Sequence, residues 1–257
     1  MKPSLRDLHY ESEIAADVFI DSFTTIGKGV IIEKNVYIGR NVSIYGKALI
    51  KSGSYIGEGC IIGHPQRDAL SEIIQKQESI GEFEGPSVLI GQNCTIRAHS
   101  IIYSEVSLGD NCQTGHNVMI REKTSIGENT LIGTDCIIDG TTTIGHDVSI
   151  QTGVYIPLFT SIGNHVFLGP YAKLTNDKYM LRKRYVLVGP HIEDHVVVGA
   201  NAVILPSIRL KTKTIVGAGA VVTKNTEENE IVVGNPAKFL KNVPDAWQQT
   251  LDEENSM

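Results

Sequence analysis

Apolar residues recur along this chain at every sixth position. The series starts at Ile14 and runs through Ile20, Ile26, Ile32, Ile38, Ile44, Ile50 and Ile56 to Ile62. It resumes at Ile90 and holds the same spacing to Leu174, then returns from Ile192 to Val222. Every member is Ile, Leu or Val except Thr114. A period of six matches neither the 3.6 of a helix nor the alternation of a flat strand. The position four residues after each member is small or β-branched, as at Val30, Val36, Val42, Ala48 and Ser54, and again at Val148, Val154, Thr160, Val166 and Ala172. Gly and Asn follow in "IGRN", "IGQN", "LGDN" and "IGEN", residues that tolerate the positive φ of a sharp corner. The pattern predicts a short strand, then a corner, then another strand. Three such sides make an 18-residue coil, and coils stack at the ~4.8 Å spacing of neighbouring strands. The expected fold is an all-β parallel β-helix of about ten coils.

Two stretches leave the register, 63–87 and 175–191, and are expected to project as loops on one face. The domain division expected is an N-terminal cap at 1–13, the β-helix at 14–235 and a C-terminal tail at 236–257. Within that tail "PDAWQQTLDEENSM", 244–257, reads as a short acidic helix around Trp247 that caps the last coil.

Composition narrows the function. Aromatics are only 6% of the 257 residues while glycines number 25, which favours many tight turns over a large-side-chain core. The formal net charge is -6 and no basic block exceeds "LRKR" at 181–184, so no nucleic-acid partner is expected. No apolar run approaches the ~20 residues of a membrane span, and "MKPSLRDLHYESE" has no signal-peptide apolar region. No membrane association and a cytoplasmic location are expected. Cys60, Cys94, Cys112 and Cys136 each lie four residues after a ladder position, so they occupy the small inward site and are structural rather than metal-binding or disulfide-bonded.

Residues 18 apart lie above one another in such a stack. His99, Asn117, Asp135, Gly153 and Tyr171 therefore form one outward column near a corner. A polar column of this kind is solvated surface by default, and that reading is kept for His99. His116 lies beside the column, two residues after Thr114, the one polar lapse in the ladder.

The hexapeptide pattern resembles that of hexapeptide-repeat acyltransferases over nearly all of 14–235. The resemblance implies a left-handed coil, a homotrimer with active sites between subunits, and acetyl-coenzyme A as co-substrate without a metal. "GDNCQTGHNVMIREKTSIGENTLIGTDCIIDG", 109–140, is similar to nucleotide-sugar N-acetyltransferases acting on 3-amino sugars, which implies a nucleotide-linked amino sugar as partner. On that reading His116, Asp135 and Asn176 are catalytic, with His116 the first candidate proton acceptor, and Asn117, Tyr171 and Arg121 bind the sugar nucleotide. "VVVGANAVILPSIRLKTKTIVGAGAVVTKNTEENEIVVGNPAKFL" is similar to the coenzyme A-binding end of the same enzymes. It nominates Gly199, Ala200, Gly217 and Ala218 as a low surface for the pantetheine arm, with Thr223, Lys224, Pro236 and Lys238 at the anionic nucleotide end. Lys238 stands where the family often has Arg and would meet phosphate as a point charge. Asn176 follows His116 by 60 residues, more than three coils, so one subunit does not obviously bring both to one atom.

Other readings of the scaffold fare less well. A γ-type carbonic anhydrase needs three His ligands, and Arg121 stands where the one after His116 is required. A sugar-nucleotide pyrophosphorylase lacks its preceding Rossmann-like domain. O-acetylation of a sugar or serine hydroxyl is the runner-up and would need His116 as a firm general base. A structural solenoid would show regular Thr columns, and Thr124, Thr130 and Thr142 are too irregular.

Overall fold

The computed structural model describes residues 6–247, which wind into a left-handed triangular prism. The chain visits three parallel faces in fixed order. Face 1 runs from Arg6–Leu8 to Val221–Val222 in eleven strands, and face 2 from Glu13–Ile14 to Arg209–Leu210 in ten. Face 3 runs from Phe19–Ile20 to Lys238–Asn242 in twelve. Successive coils pair in register 18 residues apart, as Thr124 with Thr142 and Met119 with Ile137. The stack is about one coil longer than the ladder alone indicates. Arg6–Leu8 already pairs with Thr24–Ile26 inside the expected cap, and Glu230–Val233 adds a strand after Val222.

The ladder side chains are the core. Ile38, Ile44, Ile50, Ile56, Ile62, Ile90 and Ile138 have no exposed surface, and the small positions fill the corners between them. Thr114 is equally buried, and its hydroxyl accepts the Arg97 backbone N–H at 3.0 Å. The polar lapse thus has a structural task. Each corner turns through a residue in the left-handed region. Asn35, Asn41, Asn93, Asn111, Asn117, Asn129 and Asn201 all sit there at φ 53–59°. Asn is the non-glycine residue best suited to that conformation.

Three corners run the length of the prism and are named here by the faces they join. Both excursions leave from the 1/2 corner: 63–87 follows Ile61–His64, and 175–190 follows Lys173–Leu174. The first is more than a loop. It contains a helix, α1 (Arg67–Lys76), none of whose residues is buried, and a 3-10 turn at Ile80–Glu82. It is seated on the prism by Lys28, whose backbone N–H donates to the Gly81 carbonyl at 3.0 Å and whose ammonium pairs with Glu84 at 2.5 Å. A Cβ on Gly27 would come within 2.9 Å of that carbonyl oxygen, so glycine is what lets the excursion approach.

The tail also departs from expectation. Lys238–Asn242 pairs antiparallel with Glu230–Val233, reversing direction on face 3. The acidic helix read over 244–257 falls mostly on residues outside those described. No helix among the described residues is long and apolar enough to cross a membrane.

The ladder makes a direct prediction. Ile138→Ala, at a position with no exposed surface, is expected to cost about 2–5 kcal/mol through lost burial and a cavity. Ser125→Ala on the outside of face 2 should stay within about 0.5 kcal/mol. Thermal or urea unfolding of the two variants checks this.

Candidate active site

Two corners carry the residues singled out by sequence. The 3/1 corner holds His116, Asn117, Asp135 and Tyr171, and then, in the upper coils, Gly199, Ala200, Gly217 and Ala218. Asn117, Asp135 and Tyr171 stack as expected, all exposed and all in the left-handed region at φ 57–60°. The Asn117 amide nitrogen donates to the Asp135 carboxylate at 3.2 Å, so these two act as a unit. His116 is exposed one residue away, and its backbone N–H is taken by the Thr134 hydroxyl at 3.3 Å. Tyr171 packs on Gly153, and the Lys173 ammonium lies 5.9 Å from its ring centroid.

The glycines of this corner serve the stack first. A Cβ on Gly199 would lie 2.4 Å from the Ala218 nitrogen, and one on Gly217 would lie 2.7 Å from the Val233 side chain. The alanines after them, like Ala98, Thr134 and Thr152 lower on the same corner, keep a backbone N–H with no acceptor among the described residues, whereas some corner positions do not. At the 2/3 corner, comparable N–H groups of Gln92, His146 and Asn164 donate to side-chain oxygens of the coil above. Above Ala200 stands Ala218, which has no such oxygen. Among the described residues nothing accepts from the Ala200 or Ala218 N–H. Two backbone donors one coil apart, about 4.8 Å, are left for a ligand.

The 1/2 corner holds the rest. Arg121 is on this corner rather than beside Asn117, in the same coil. Its guanidinium bonds Glu122 at 2.9 Å and Asp139 at 3.0 Å and lies 5.6 Å from the Tyr103 ring centroid. Burial opposes its charge, but the two carboxylates outweigh that and raise its pKa further. Tyr155 completes the group through a 3.3 Å bond to Asp139, and burial, with that carboxylate second, raises the phenol pKa. Sequence reasoning found Arg121 but not Asp139 or Tyr155. The signal was the 18-residue spacing from Arg121 to Asp139, which puts a carboxylate directly over a guanidinium.

Asn176 opens the second excursion three coils above Arg121. Its amide nitrogen donates to the Leu158 carbonyl at 3.2 Å, which leaves Oδ1 as its outward acceptor. Asp177 then collects the N–H groups of Tyr179 and Met180, both at 2.9 Å, and of Leu181 at 3.1 Å, which shapes the loop. Farther up, Thr223, Lys224, Pro236 and Lys238 converge with Phe239 around a cavity of about 340 Å³. One chain therefore groups the four residues assigned to the nucleotide end, and separates His116 from Asn176 by a corner and three coils.

The repeats match family models described as bacterial transferase hexapeptide (six repeats), at 11–46 and 87–122, and hexapeptide repeat of succinyl-transferase, at 123–157 and 191–224. Together they account for more than half of the chain. It belongs to the hexapeptide-repeat transferase family. Curated relatives include a galactoside O-acetyltransferase of Lactococcus lactis subsp. lactis (strain IL1403). It is 30% identical over 95 residues, which are 35% of this chain and 46% of that protein. A 2,3,4,5-tetrahydropyridine-2,6-dicarboxylate N-acetyltransferase of Staphylococcus aureus (strain JH9) is 50% identical over 50 residues, 20% of this chain and 21% of that one. The chain spans less than half the length of these relatives. Similar solved structures include a UDP-N-acetylglucosamine acyltransferase from Bacteroides fragilis 9343, with 20% identity and a TM-score of 0.46 over 97% of this chain and 78% of that one. Another is a hexapeptide-repeat acetyltransferase from Vibrio cholerae O1 biovar eltor complexed with acetyl coenzyme A, with 24% identity and a TM-score of 0.33 over 47% and 71%.

The four cysteines take no part in the site. Each is fully buried, and each thiol donates to a carbonyl of the next coil at 3.0–3.2 Å. Burial pushes the Cys60 thiol up to about 11. Only on the order of one thiol in a thousand is then ionised at pH 8, and the thiolate is the reactive form. The native protein is expected to show no fast reaction with a thiol reagent at pH 8 and four equivalents after unfolding; fast labelling in the native state would contradict the inward register.

Proposed function

We propose that this chain is an acetyl-coenzyme A-dependent N-acetyltransferase acting on the amino group of a nucleotide-linked amino sugar, working as a homotrimer. The observation that carries the reading is the pair of uncommitted N–H groups at Ala200 and Ala218. They line up with Tyr171 below, while the cavity of Thr223, Lys224 and Lys238, with Glu230 also in its wall, lies at the same end of the prism. A pantetheine arm is a chain of amides that such donors can hold along a corner, and its nucleotide end carries phosphates that the lysines attract. The two curated relatives are an O- and an N-acetyltransferase, which supports acetyl transfer and leaves the acceptor to the site.

Face 1 supports the assembly. Its outward column in the middle coils, Ile101, Met119 and Ile137, is apolar, whereas the face 2 positions that follow them are Ser107, Ser125 and Thr143. Only below these is face 2 apolar, at Ile31, Leu49 and Leu89. Three copies with face 1 toward a threefold axis bury that column. The 3/1 corner of one copy then meets the 1/2 corner of the next. If the axis parallels the prism, residues keep their heights. Asn176 comes level with Tyr171 and one coil below Ala200, where the thioester end of the arm would lie. Arg121 comes level with His116 and Asn117, three coils lower. A sugar nucleotide spans that height, with the amine at Asn176 and its remainder over Asp135, Asn117 and His116.

The chemistry asked of the site is modest. The neutral amine nitrogen bonds to the thioester carbonyl carbon, the carbon–sulfur bond breaks, and the amine's proton leaves with the thiolate as free thiol. Asn176 Oδ1 accepts an amine N–H and aims the lone pair. With the amine at Asn176, His116 lies three coils away and meets the far end of the acceptor. It would be the base only for an acceptor whose nucleophile sits at its own level, as an O-acetylating enzyme would require.

A panel of dTDP- and UDP-amino sugars and simple glycosides, assayed with acetyl-coenzyme A by thiol release, tests the acceptor. Turnover of glycosides but not amino sugars would favour the hydroxyl reading. Ala218→Pro tests the carrier, because Pro170 already occupies the equivalent corner position, so the fold accepts it and only the N–H is lost. The KM for acetyl-coenzyme A should rise about 3–10-fold, the worth of one hydrogen bond. Asn176→Ala should lower kcat about 100-fold or more. Co-expressing Asn176→Ala with an Ala200→Pro/Ala218→Pro chain should restore part of the activity, because some sites then take an intact corner from one copy and an intact loop from its neighbour. No recovery would place both elements in one copy.

A further inference from the structure

The 2/3 corner, which the proposed chemistry does not use, carries a cluster of a different kind. His146 and Asp147 are adjacent in one turn, and His165 lies 18 residues after Asp147 and so directly above it. One donor atom from each, two imidazole nitrogens and one carboxylate oxygen, lies within 4.8 Å of the other two. We propose that His146, Asp147 and His165 form a binding site for a divalent transition-metal ion of the zinc type.

Several features of the fold hold these donors ready. Asp147 and His165 both occupy the left-handed corner position, at φ 54°, which projects their side chains out from the stack on the same line. The backbone N–H of His146 is fixed by the Asn164 side chain at 3.1 Å. The His165 ring is held between the edge of His146, with centroids 5.0 Å apart and planes at 89°, and the face of His195, at 4.9 Å and 10°. Its rotation is thereby restricted before any ion arrives. The His146 Nδ1 is already 2.6 Å from the Asp147 carboxylate, the distance of a hydrogen bond that a cation can replace.

The donor chemistry selects the ion. Two imidazoles and one carboxylate suit zinc, cobalt or nickel, with a fourth position open to water, and do not suit the all-oxygen shells of magnesium or calcium. With ligand bonds near 2.0–2.2 Å, tetrahedral donors stand roughly 3.4 Å apart. Donors as far apart as 4.8 Å must therefore close while the 2.6 Å His146 Nδ1–Asp147 pair must open, both within reach of side-chain rotation. The nearest basic residue in the column, Lys213, stands two coils above His165, beyond His195. The side chains of His146 and Asp147 are 42% and 38% exposed, so an ion can enter without opening the prism. Because the ligands come from successive coils, the ion would clamp one corner of two turns together, away from both corners of the acyl-transfer site.

The test uses untagged full-length chain freed of metal by chelation. Titration with cobalt(II), followed by visible absorption, should give one saturating equivalent per chain with the intense band of a low-coordinate site, and zinc should displace it. His146→Asn and His165→Asn should each weaken zinc binding by at least about tenfold in calorimetry, as loss of a ligand demands. The double variant should show no such site. Zinc should raise the melting temperature of the parent protein and leave that of the double variant unchanged. All three ligands are outside the core, so circular dichroism of the variants should match the parent. Absence of a saturable one-to-one cobalt signal, or undiminished binding by the folded double variant, would overturn the assignment.

Discussion

The structure depends on one constraint: each coil must place an isoleucine-sized side chain on the axis at every sixth residue, over its like in the coil below. Parallel pairing at a fixed 18-residue offset makes this possible, because identical positions then superpose for the length of the stack. Short two-residue strands bury little apolar surface alone, and each coil needs both neighbours to close its core. The sharp corners that bring the chain back onto the axis require left-handed backbone. That explains why Asn recurs there, and why the preceding glycines stack against the next coil's backbone with no room for a Cβ.

The same register that builds the core builds the chemistry. Outward residues at one corner position form a column, so a functional group gains partners from chain neighbours, from residues about 18 apart, or from another copy of the chain. Asn117 with Asp135, and Arg121 with Asp139, are pairs of the second kind. His116 and Asn176 are not, and their separation in one chain is a direct result of winding. A site needing both an arm-binding corner and a loop from a different corner calls for a second copy to supply one of them.

Much of this was legible from sequence because the repeat is strict. The six-residue spacing indicated the coil, the corner residues, both excursions and the inward cysteines. What it missed lies where the repeat stops. Helix α1 carries Ala69, Leu70, Ile73 and Ile74 at helical spacing, a local signal that the search for the six-residue period passed over. The reversed strand at Lys238–Asn242 depends on a turn after Gly234, and its residues are exposed along their length, which removes the inward signal. Thr114, the one polar ladder position, gives no sign from sequence alone that its hydroxyl answers a backbone amide. The vacancy at the Ala200 and Ala218 amides was visible only by its negative, the absence of a side-chain oxygen one turn later.

Because both candidate subsites are strung on one lattice, the gap between them comes in whole steps. Adding or removing an 18-residue unit between Asp135 and Tyr171 would leave every column, corner and inward side chain in phase, and would move acceptor and carrier ends apart or together by about 4.8 Å. Such a scaffold can be retuned for longer or shorter acceptors by duplication of a turn, with no redesign of its interior. Reach, in this architecture, is a digital quantity.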